Sequence, residues 1–129
     1  MEQLIRLRII GENLVSKYSW AIPDQKALDI IKNFSPIIEL GAGNGYWCSL
    51  LRNMNVDIVA YDRLIDSTAC HTQVIKGTPK SVLKLPKNSS RTLMLSYPDE
   101  DSQLSMACLE FYDGEYIIHI GELYIYNRH

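Results

Sequence analysis

The stretch that decides the fold runs from residue 36 to residue 62 and reads PIIELGAGNGYWCSLLRNMNVDIVAYD. Its apolar opening, residues 36–40, leads into three glycines at alternate positions, Gly41, Gly43 and Gly45. Glycine adopts positive φ angles and lets the backbone approach a ligand without an intervening Cβ. The pattern therefore predicts a strand that ends in a tight turn open to a bound molecule.

A helix and a second strand are predicted after this turn. Apolar side chains recur at positions i, i+3, i+4 and i+7, which is one face of a helix: Trp47, Leu50, Leu51 and Met54. Asn55 is suited to a left-handed helix stop. A second apolar run over 56–61 then ends in Asp62. Strand, glycine turn, helix, strand and acid together indicate a nucleotide-binding βαβ unit.

Several interpretations of the glycine turn are open. The dinucleotide fingerprint is G-x-G-x-x-G, and Tyr46 stands where its last glycine belongs. Glu39, the acid before the first glycine, also fits poorly beside a pyrophosphate and suits a ligand that carries a positive charge. A further alternative is a glycine-rich turn in an unrelated α/β protein.

The order acid-x-G-x-G-x-G, from Glu39 to Gly45, resembles motif I of the class I S-adenosylmethionine (SAM) dependent methyltransferases. In that family an acid at the end of the second strand holds the ribose hydroxyls, and Asp62 matches it. A carboxylate accepts two hydrogen bonds from such a diol. The resemblance covers residues 18–122 and is strongest over 36–62.

The resemblance implies one Rossmann-like α/β domain over 1–129, a doubly wound and mainly parallel sheet with helices on both faces. Strands are expected at 36–41, 56–61, 72–76, 91–97 and 115–120, with the strand before the glycine turn in the centre. The family fold continues with an antiparallel strand pair, which we predict to be missing or abbreviated here. An exposed sheet edge would then be covered by a second copy or another partner. Alternatively, Leu123–Tyr126 or the N-terminal arm covers it.

The N-terminal segment 1–23 is predicted to be an extended arm or helix that covers the core, and Gly11 interrupts any long helix. The aromatic side chains of Tyr18 and Trp20 suit core packing and cofactor contact about equally. Asp24 is a suitable N-cap for a following helix.

The resemblance also implies a set of cofactor-binding residues. Arg63 stands where many family members place an apolar residue against the adenine ring, and Leu64 is the nearest apolar candidate. Thr78 stands about where the family often has an acid near the adenine amine. The implied set is Glu39, Gly41, Ala42, Gly43, Gly45, Asp62, Arg63, Leu64, Gly77, Thr78, Ser96 and Tyr97.

The run Ser96-Tyr97-Pro98-Asp99, at the end of the fourth predicted strand, matches the position of methyltransferase motif IV. The amino-methylating form of this motif is Asn-Pro-Pro-Tyr. Because this chain has Ser96 in place of the asparagine, specificity for amino groups does not carry over. We take Tyr97 and Asp99 as the candidate catalytic residues on the acceptor side. The alternative is that Pro98 ends the strand and has no part in a functional motif.

Composition narrows the classes of partner. The net charge of −2 gives no basic footprint for nucleic acid. The apolar N-terminal run is too short and too charged for a membrane span. Three cysteines without metal-type spacing indicate reduced thiols in a cytoplasmic protein, and Cys70-His71 alone favours a structural role over a metal site.

The sequence thus predicts a SAM-dependent methyltransferase that acts on a small-molecule or protein acceptor, which the sequence does not identify. The alternative is a catalytically inactive methyltransferase-fold module or partner subunit that still binds SAM. The short chain and the altered motif IV favour that alternative, whereas the acid, the three glycines and Asp62 favour retained SAM binding.

Overall fold

The computed structural model describes residues 5–11, 17–21, 25–96 and 103–120, and for the first two ranges it gives the backbone only. The predictions for the side chains of Tyr18 and Trp20, for the Asp24 cap and for Leu123–Tyr126 lie outside the described residues.

The described elements alternate between strands and helices along the chain. The strands are β1 (Ile5–Gly11), β2 (Lys17–Ala21), β3 (Ile37–Leu40), β4 (Ile58–Asp62), β5 (Ile75–Lys76), β6 (Thr92–Ser96) and β7 (Tyr116–Ile120). The helices are α1 (Gln25–Lys32), α2 (Tyr46–Arg52), α3 (Pro79–Val82) and α4 (Gln103–Phe111). A 3-10 turn, Pro86–Asn88, precedes β6. The five predicted strands agree with β3 to β7 to within a few residues.

The seven strands that the structure describes form one sheet in the order β2-β1-β7-β6-β3-β4-β5. The neighbours from β7 to β5 are paired in parallel, and β3 lies between β4 and β6. The prediction of an α/β chain with a mainly parallel sheet around the strand before the glycine turn is therefore confirmed.

The N-terminal segment completes the sheet on the side of β7. Leu7 of β1 lies opposite Ile120 of β7 in an antiparallel pair, and β2 pairs antiparallel with β1. The expected open edge beside β7 is therefore absent, because β1 satisfies the main-chain groups of that strand. Of the alternatives for this segment, the extended arm is the one observed.

Side chains of β3 alternate between the two faces of the sheet, as in any strand. Ile37 and Ile38 belong to separate apolar cores. The face of Ile37, which Glu39 shares, packs against α1 and α2 through Leu28, Ile31, Trp47 and Leu51. The opposite face packs against α3 and α4 through Val82, Leu83, Leu104 and Cys108. Helices thus cover both faces of the sheet.

Two further local features bear on the site. Asn55 has a φ of 62°, which confirms the left-handed stop after α2. The connection from β4 to β5 contains turns and bends but no helix, and Arg52 of α2 secures it by donating to the Thr72 hydroxyl and the Gln73 carbonyl at 2.7 and 2.9 Å.

No helix in the described part of the chain is long and apolar enough to cross a bilayer.

Candidate functional site

The candidate site lies where three neighbouring parallel strands end. The glycine turn follows β3, Asp62 is the last residue of β4, and Ser96 is the last residue of β6. Ligand sites of open α/β sheets lie in the crevice outside these carboxyl ends. The fold therefore brings the glycine turn, Asp62 and Ser96 to the edge where such sheets bind ligands.

The carboxylate of Asp62 closes the glycine turn. Its Oδ2 accepts a hydrogen bond from the Gly43 N–H at 2.8 Å, and its Oδ1 accepts one from the Leu64 N–H at 3.1 Å. A carboxylate offers about four lone-pair positions, so each oxygen retains one for a ligand. Asp62 is thus held in one orientation while it remains able to accept hydrogen bonds from a diol.

The three glycines of the turn serve different purposes, although all have positive φ, at 70°, 58° and 76°. A Cβ on Gly41 would collide with the side chain of Leu104 in α4. A Cβ on Gly45 would lie 2.9 Å from a methyl group of Val74. A Cβ on Gly43 would meet no atom of the described residues within 4 Å. Gly41 and Gly45 therefore permit close packing, whereas the described residues leave space around the Cα of Gly43.

Beside the turn is a cleft of about 340 Å³, within the usual range for small-molecule sites. It brings together five predicted site residues: Gly41, Asp62, Arg63, Gly77 and Thr78. Leu64, also predicted, does not line the cleft, and 74% of it is exposed. The remaining lining residues are Leu40, Pro79, Gln103, Leu104 and Ala107.

Sequence reasoning missed the wall that α4 supplies. None of the sequence patterns predicts a ligand contact for Leu104 or Ala107, which line the cleft. The available signal was position: a helix that follows a parallel strand packs on the sheet beside that strand. Ala107, a small residue on this helix, leaves room where a larger side chain would fill the cleft.

Glu39 is the principal buried charge of the site, with only 1% of the residue exposed. Its Oε2 accepts a hydrogen bond from the Ser96 hydroxyl at 2.6 Å. Among the described residues, its Oε1 has no hydrogen-bond partner. Burial raises the pKa of this carboxyl from 4.5 to about 7, with a smaller contribution from the charge of Asp62 and an opposing one from Ser96. Two positions before the glycine turn there is thus a buried acceptor that no described residue satisfies.

Several other predicted residues are engaged within the protein. Ala42 is buried in the core, and its N–H donates to the Tyr61 carbonyl at 3.0 Å. The Thr78 hydroxyl caps α3 by accepting a hydrogen bond from the Ser81 N–H. The Gly77 N–H donates to the main-chain carbonyl of Asp62 at 3.0 Å. These residues shape the site chiefly through the backbone. Tyr97 and Asp99 lie outside the described residues.

Cys70 and His71 contact protein groups beside the turn. The Cys70 thiol lies 3.2 Å from the Asp66 carbonyl, and the His71 ring meets Tyr46 edge-on with centroids 5.6 Å apart. Across the described ranges, no three His, Cys, Asp or Glu side chains are placed to hold a metal ion together. Cys48, Cys70 and Cys108 are free thiols.

Comparison of the chain with protein-family models, curated proteins and solved structures gave no match in any of the three.

Proposed function

We propose that this chain binds S-adenosylmethionine at the carboxyl edge of its sheet and transfers the methyl group to a small-molecule or protein acceptor. The observation that carries the proposal is the buried carboxyl of Glu39, whose Oε1 is unsatisfied among the described residues. A buried acceptor of this kind calls for a donor, and a cationic donor stabilises the ionised carboxylate that burial disfavours. SAM carries both an ammonium and a sulfonium group.

Asp62, at the end of the neighbouring strand β4, also favours SAM as the ligand. Asp62 keeps lone pairs for two ribose hydroxyls, and the adjoining cleft has the size for a nucleoside. A dinucleotide would also offer a diol. Its pyrophosphate, however, would lie near the carboxylate of Glu39, which disfavours an anion. A ligand that combines a diol with a positive charge therefore fits the site better than a nicotinamide dinucleotide.

When bound, SAM supplies a methyl group already activated by its sulfonium, so the protein has mainly to position the reactants. In this proposal Glu39 provides the countercharge, Asp62 holds the diol, and Gly43 allows close approach to the backbone. Tyr97 and Asp99 remain the proposed acceptor-side residues, with a base needed only where the acceptor must lose a proton.

A second candidate is a SAM-binding module without transferase activity. Ser96 stands where the amino-methylating form of the family has asparagine, and its hydroxyl donates to Glu39 at 2.6 Å. Because the Ser96 hydroxyl donates to Glu39, it orients a proposed cofactor-binding residue rather than a methyl acceptor. This observation favours binding without transfer.

Titration calorimetry with SAM, S-adenosylhomocysteine and NAD tests the binding proposal. We expect both sulfur ligands to bind and NAD to bind weakly or not at all. Glu39→Gln should weaken SAM binding, whereas Glu110→Gln, which changes an exposed acid of α4 in the same way, should not. Absence of SAM binding, or tighter binding of NAD, would refute the proposal. Formation of S-adenosylhomocysteine from SAM during incubation with acceptor mixtures separates the transferase from the binding module.

A further inference from the structure

A second cavity, of about 370 Å³, lies at the opposite end of the sheet from the candidate site. Three parallel neighbours, β3, β6 and β7, begin there, and the residues that directly precede them line the cavity: Pro36, Arg91 and Glu115. Its volume is within the usual range for small-molecule sites. None of its lining residues belongs to the SAM site proposed above.

The protein uses only part of the Arg91 guanidinium. Its Nη1 donates to the main-chain carbonyl of Ile37 at 3.0 Å and to the carboxylate of Asp57 at 2.9 Å. Within the described ranges, its Nε and Nη2 have no hydrogen-bond acceptor. The side chain is only 18% exposed. Since a guanidinium donates from all three of its nitrogens, Arg91 is held in place through one of them while the others are available to a carboxylate.

Glu115 places the opposite charge in the same cavity. Leu93 of β6 lies opposite Ile117 of β7 in the sheet. Arg91 and Glu115 each precede that pair by two positions, so they occupy neighbouring positions at the start of the two strands. Arg91 nevertheless forms its ion pair with Asp57, and Glu115 has no cationic partner among the described residues. A cationic and an anionic group thus line one cavity without an ion pair between them.

Aromatic side chains supply the apolar part of the wall. The rings of Phe34 and Tyr116 meet edge-on with centroids 5.4 Å apart, and 37% of Tyr116 is exposed. Tyr112 also lines the cavity, and its hydroxyl fixes the ring by donating to the Arg91 carbonyl at 2.8 Å. Aromatic rings pack favourably in edge-to-face pairs. The exposed part of Tyr116 therefore suits contact with the ring of a ligand.

We propose that this cavity binds a free α-amino acid with an aromatic side chain. Arg91 donates to its carboxylate, Glu115 accepts from its ammonium group, and Phe34 and Tyr116 contact its ring. A ligand with only a negative charge would meet Glu115, and a ligand with only a positive charge would meet Arg91, so the two charges together favour a zwitterion. The inference is independent of the proposed function, because the two sites lie at opposite ends of the sheet.

The test titrates the isotope-labelled full chain with L-phenylalanine and follows the main-chain amide signals by NMR. Residues 33–35, 90–92 and 115–117 report on the cavity, and residues 41–45 report on the glycine turn. Two analogues separate the charges of the ligand. The methyl ester of L-phenylalanine lacks the anionic carboxylate, and hydrocinnamate lacks the ammonium group.

Two variants separate the charges of the protein. Glu115→Gln removes the proposed partner of the ammonium group, and Arg91→Lys removes the planar fork that receives the carboxylate. Glu110→Gln is the matched control for Glu115→Gln, because Glu110 is an exposed acid of α4 that does not line the cavity. Thermal melting establishes that each variant is folded. Should Arg91→Lys not fold, the methyl ester still tests the contact with the carboxylate in the wild type.

We expect L-phenylalanine to shift the amide signals beside the cavity and not those of the glycine turn. The methyl ester should bind about tenfold more weakly or worse, because it loses a charged hydrogen bond. Glu115→Gln should weaken binding of L-phenylalanine about two- to fivefold, as loss of an exposed ion pair implies. It should not weaken binding of hydrocinnamate, which has no ammonium group. Glu110→Gln should match the wild type with both ligands.

Failure of the wild type to bind L-phenylalanine would overturn the inference, as would equal affinity for L-phenylalanine and both analogues. Shifts confined to the glycine turn and abolished in Glu39→Gln would also overturn it, because the amino acid would then occupy the proposed SAM site. Shifts beside the cavity with the expected dependence on Glu115, in a chain that does not bind SAM, would uphold the inference and refute the proposed function.

Discussion

Replacement of Glu39 by glutamine should stabilise the folded protein progressively as the pH rises. The Glu39 carboxyl is fully buried, and burial raises its pKa from 4.5 to about 7. Below pH 4.5 the carboxyl is protonated in both the folded and the unfolded chain, so its titration does not affect stability. Between pH 4.5 and about 7 only the unfolded chain ionises, and the free energy of unfolding of the wild type falls as the pH rises.

The magnitude follows from the two pKa values. One pKa unit corresponds to about 1.4 kcal/mol, so the difference between 4.5 and about 7 amounts to about 3 kcal/mol at pH 8. Glutamine does not titrate and avoids this loss. The stability difference between the variant and the wild type should therefore grow by about 3 kcal/mol from pH 4.5 to pH 8. A glutamine amide without a hydrogen-bond partner lowers the stability of the variant equally at every pH, so it does not alter how the stability difference changes with pH.

Urea unfolding at half-unit steps from pH 4.5 to pH 8 measures the difference directly. Glu110→Gln, at an exposed position on α4, serves as the control and should show a nearly constant difference from the wild type. A pH-independent difference for Glu39→Gln would mean that the carboxyl titrates alike in the folded and unfolded chain, and the reasoning from burial would be wrong. Saturating SAM should reduce the pH dependence of the wild type, because a bound cation favours the ionised carboxylate.

Three further outcomes are expected. Asp62→Ala should weaken SAM binding roughly tenfold to a hundredfold in calorimetry, because loss of a charged hydrogen-bond partner costs about 1.5–3 kcal/mol; unchanged affinity would show that Asp62 only closes the turn. Gly43→Val should abolish SAM binding, while the free energy of unfolding measured in urea should fall by only about 1–2 kcal/mol because of the positive φ. Gly41→Ala should in addition displace the Leu104 side chain and lower the free energy of unfolding by about 2 kcal/mol or more. Normal SAM binding by Gly43→Val would remove the main support for a ligand at the turn. Deletion of residues 1–21 should expose the edge of β7 and produce concentration-dependent association in sedimentation, and a strictly monomeric truncated chain would contradict this.

The parts of the fold that were predictable carry their signal within a short stretch of chain. The alternate glycines predicted a turn with positive φ, Asn55 predicted a left-handed stop, and apolar runs located β3 and β4. Backbone conformation at a glycine and the period of apolar side chains are local properties, so neighbouring residues are sufficient to reveal them.

The features that the sequence left open or did not predict depend on residues far apart in the chain. Coverage of the sheet edge by the N-terminal arm was one alternative, and the pairing of β1 with β7 joins the first described strand to the last, so neither segment alone indicates its partner. The hydrogen bond from Ser96 to Glu39 spans 57 positions and follows only from the pairing of β3 with β6. The role of Leu104 against Gly41 likewise needed the position of α4 on the sheet.

The pairing of β1 with β7 also has a consequence for the order of folding during synthesis. Of the described elements, the β1–β2 hairpin is synthesised before the others, but residues 12–115 separate β1 from the strand with which it pairs. A two-stranded hairpin alone is only marginally stable in water, and closure of so long a segment is an entropically costly, late contact. The hairpin must therefore remain unsupported until β7 emerges from the ribosome. Translation that stops before residue 116 would yield a nascent chain whose hairpin has no strand to join.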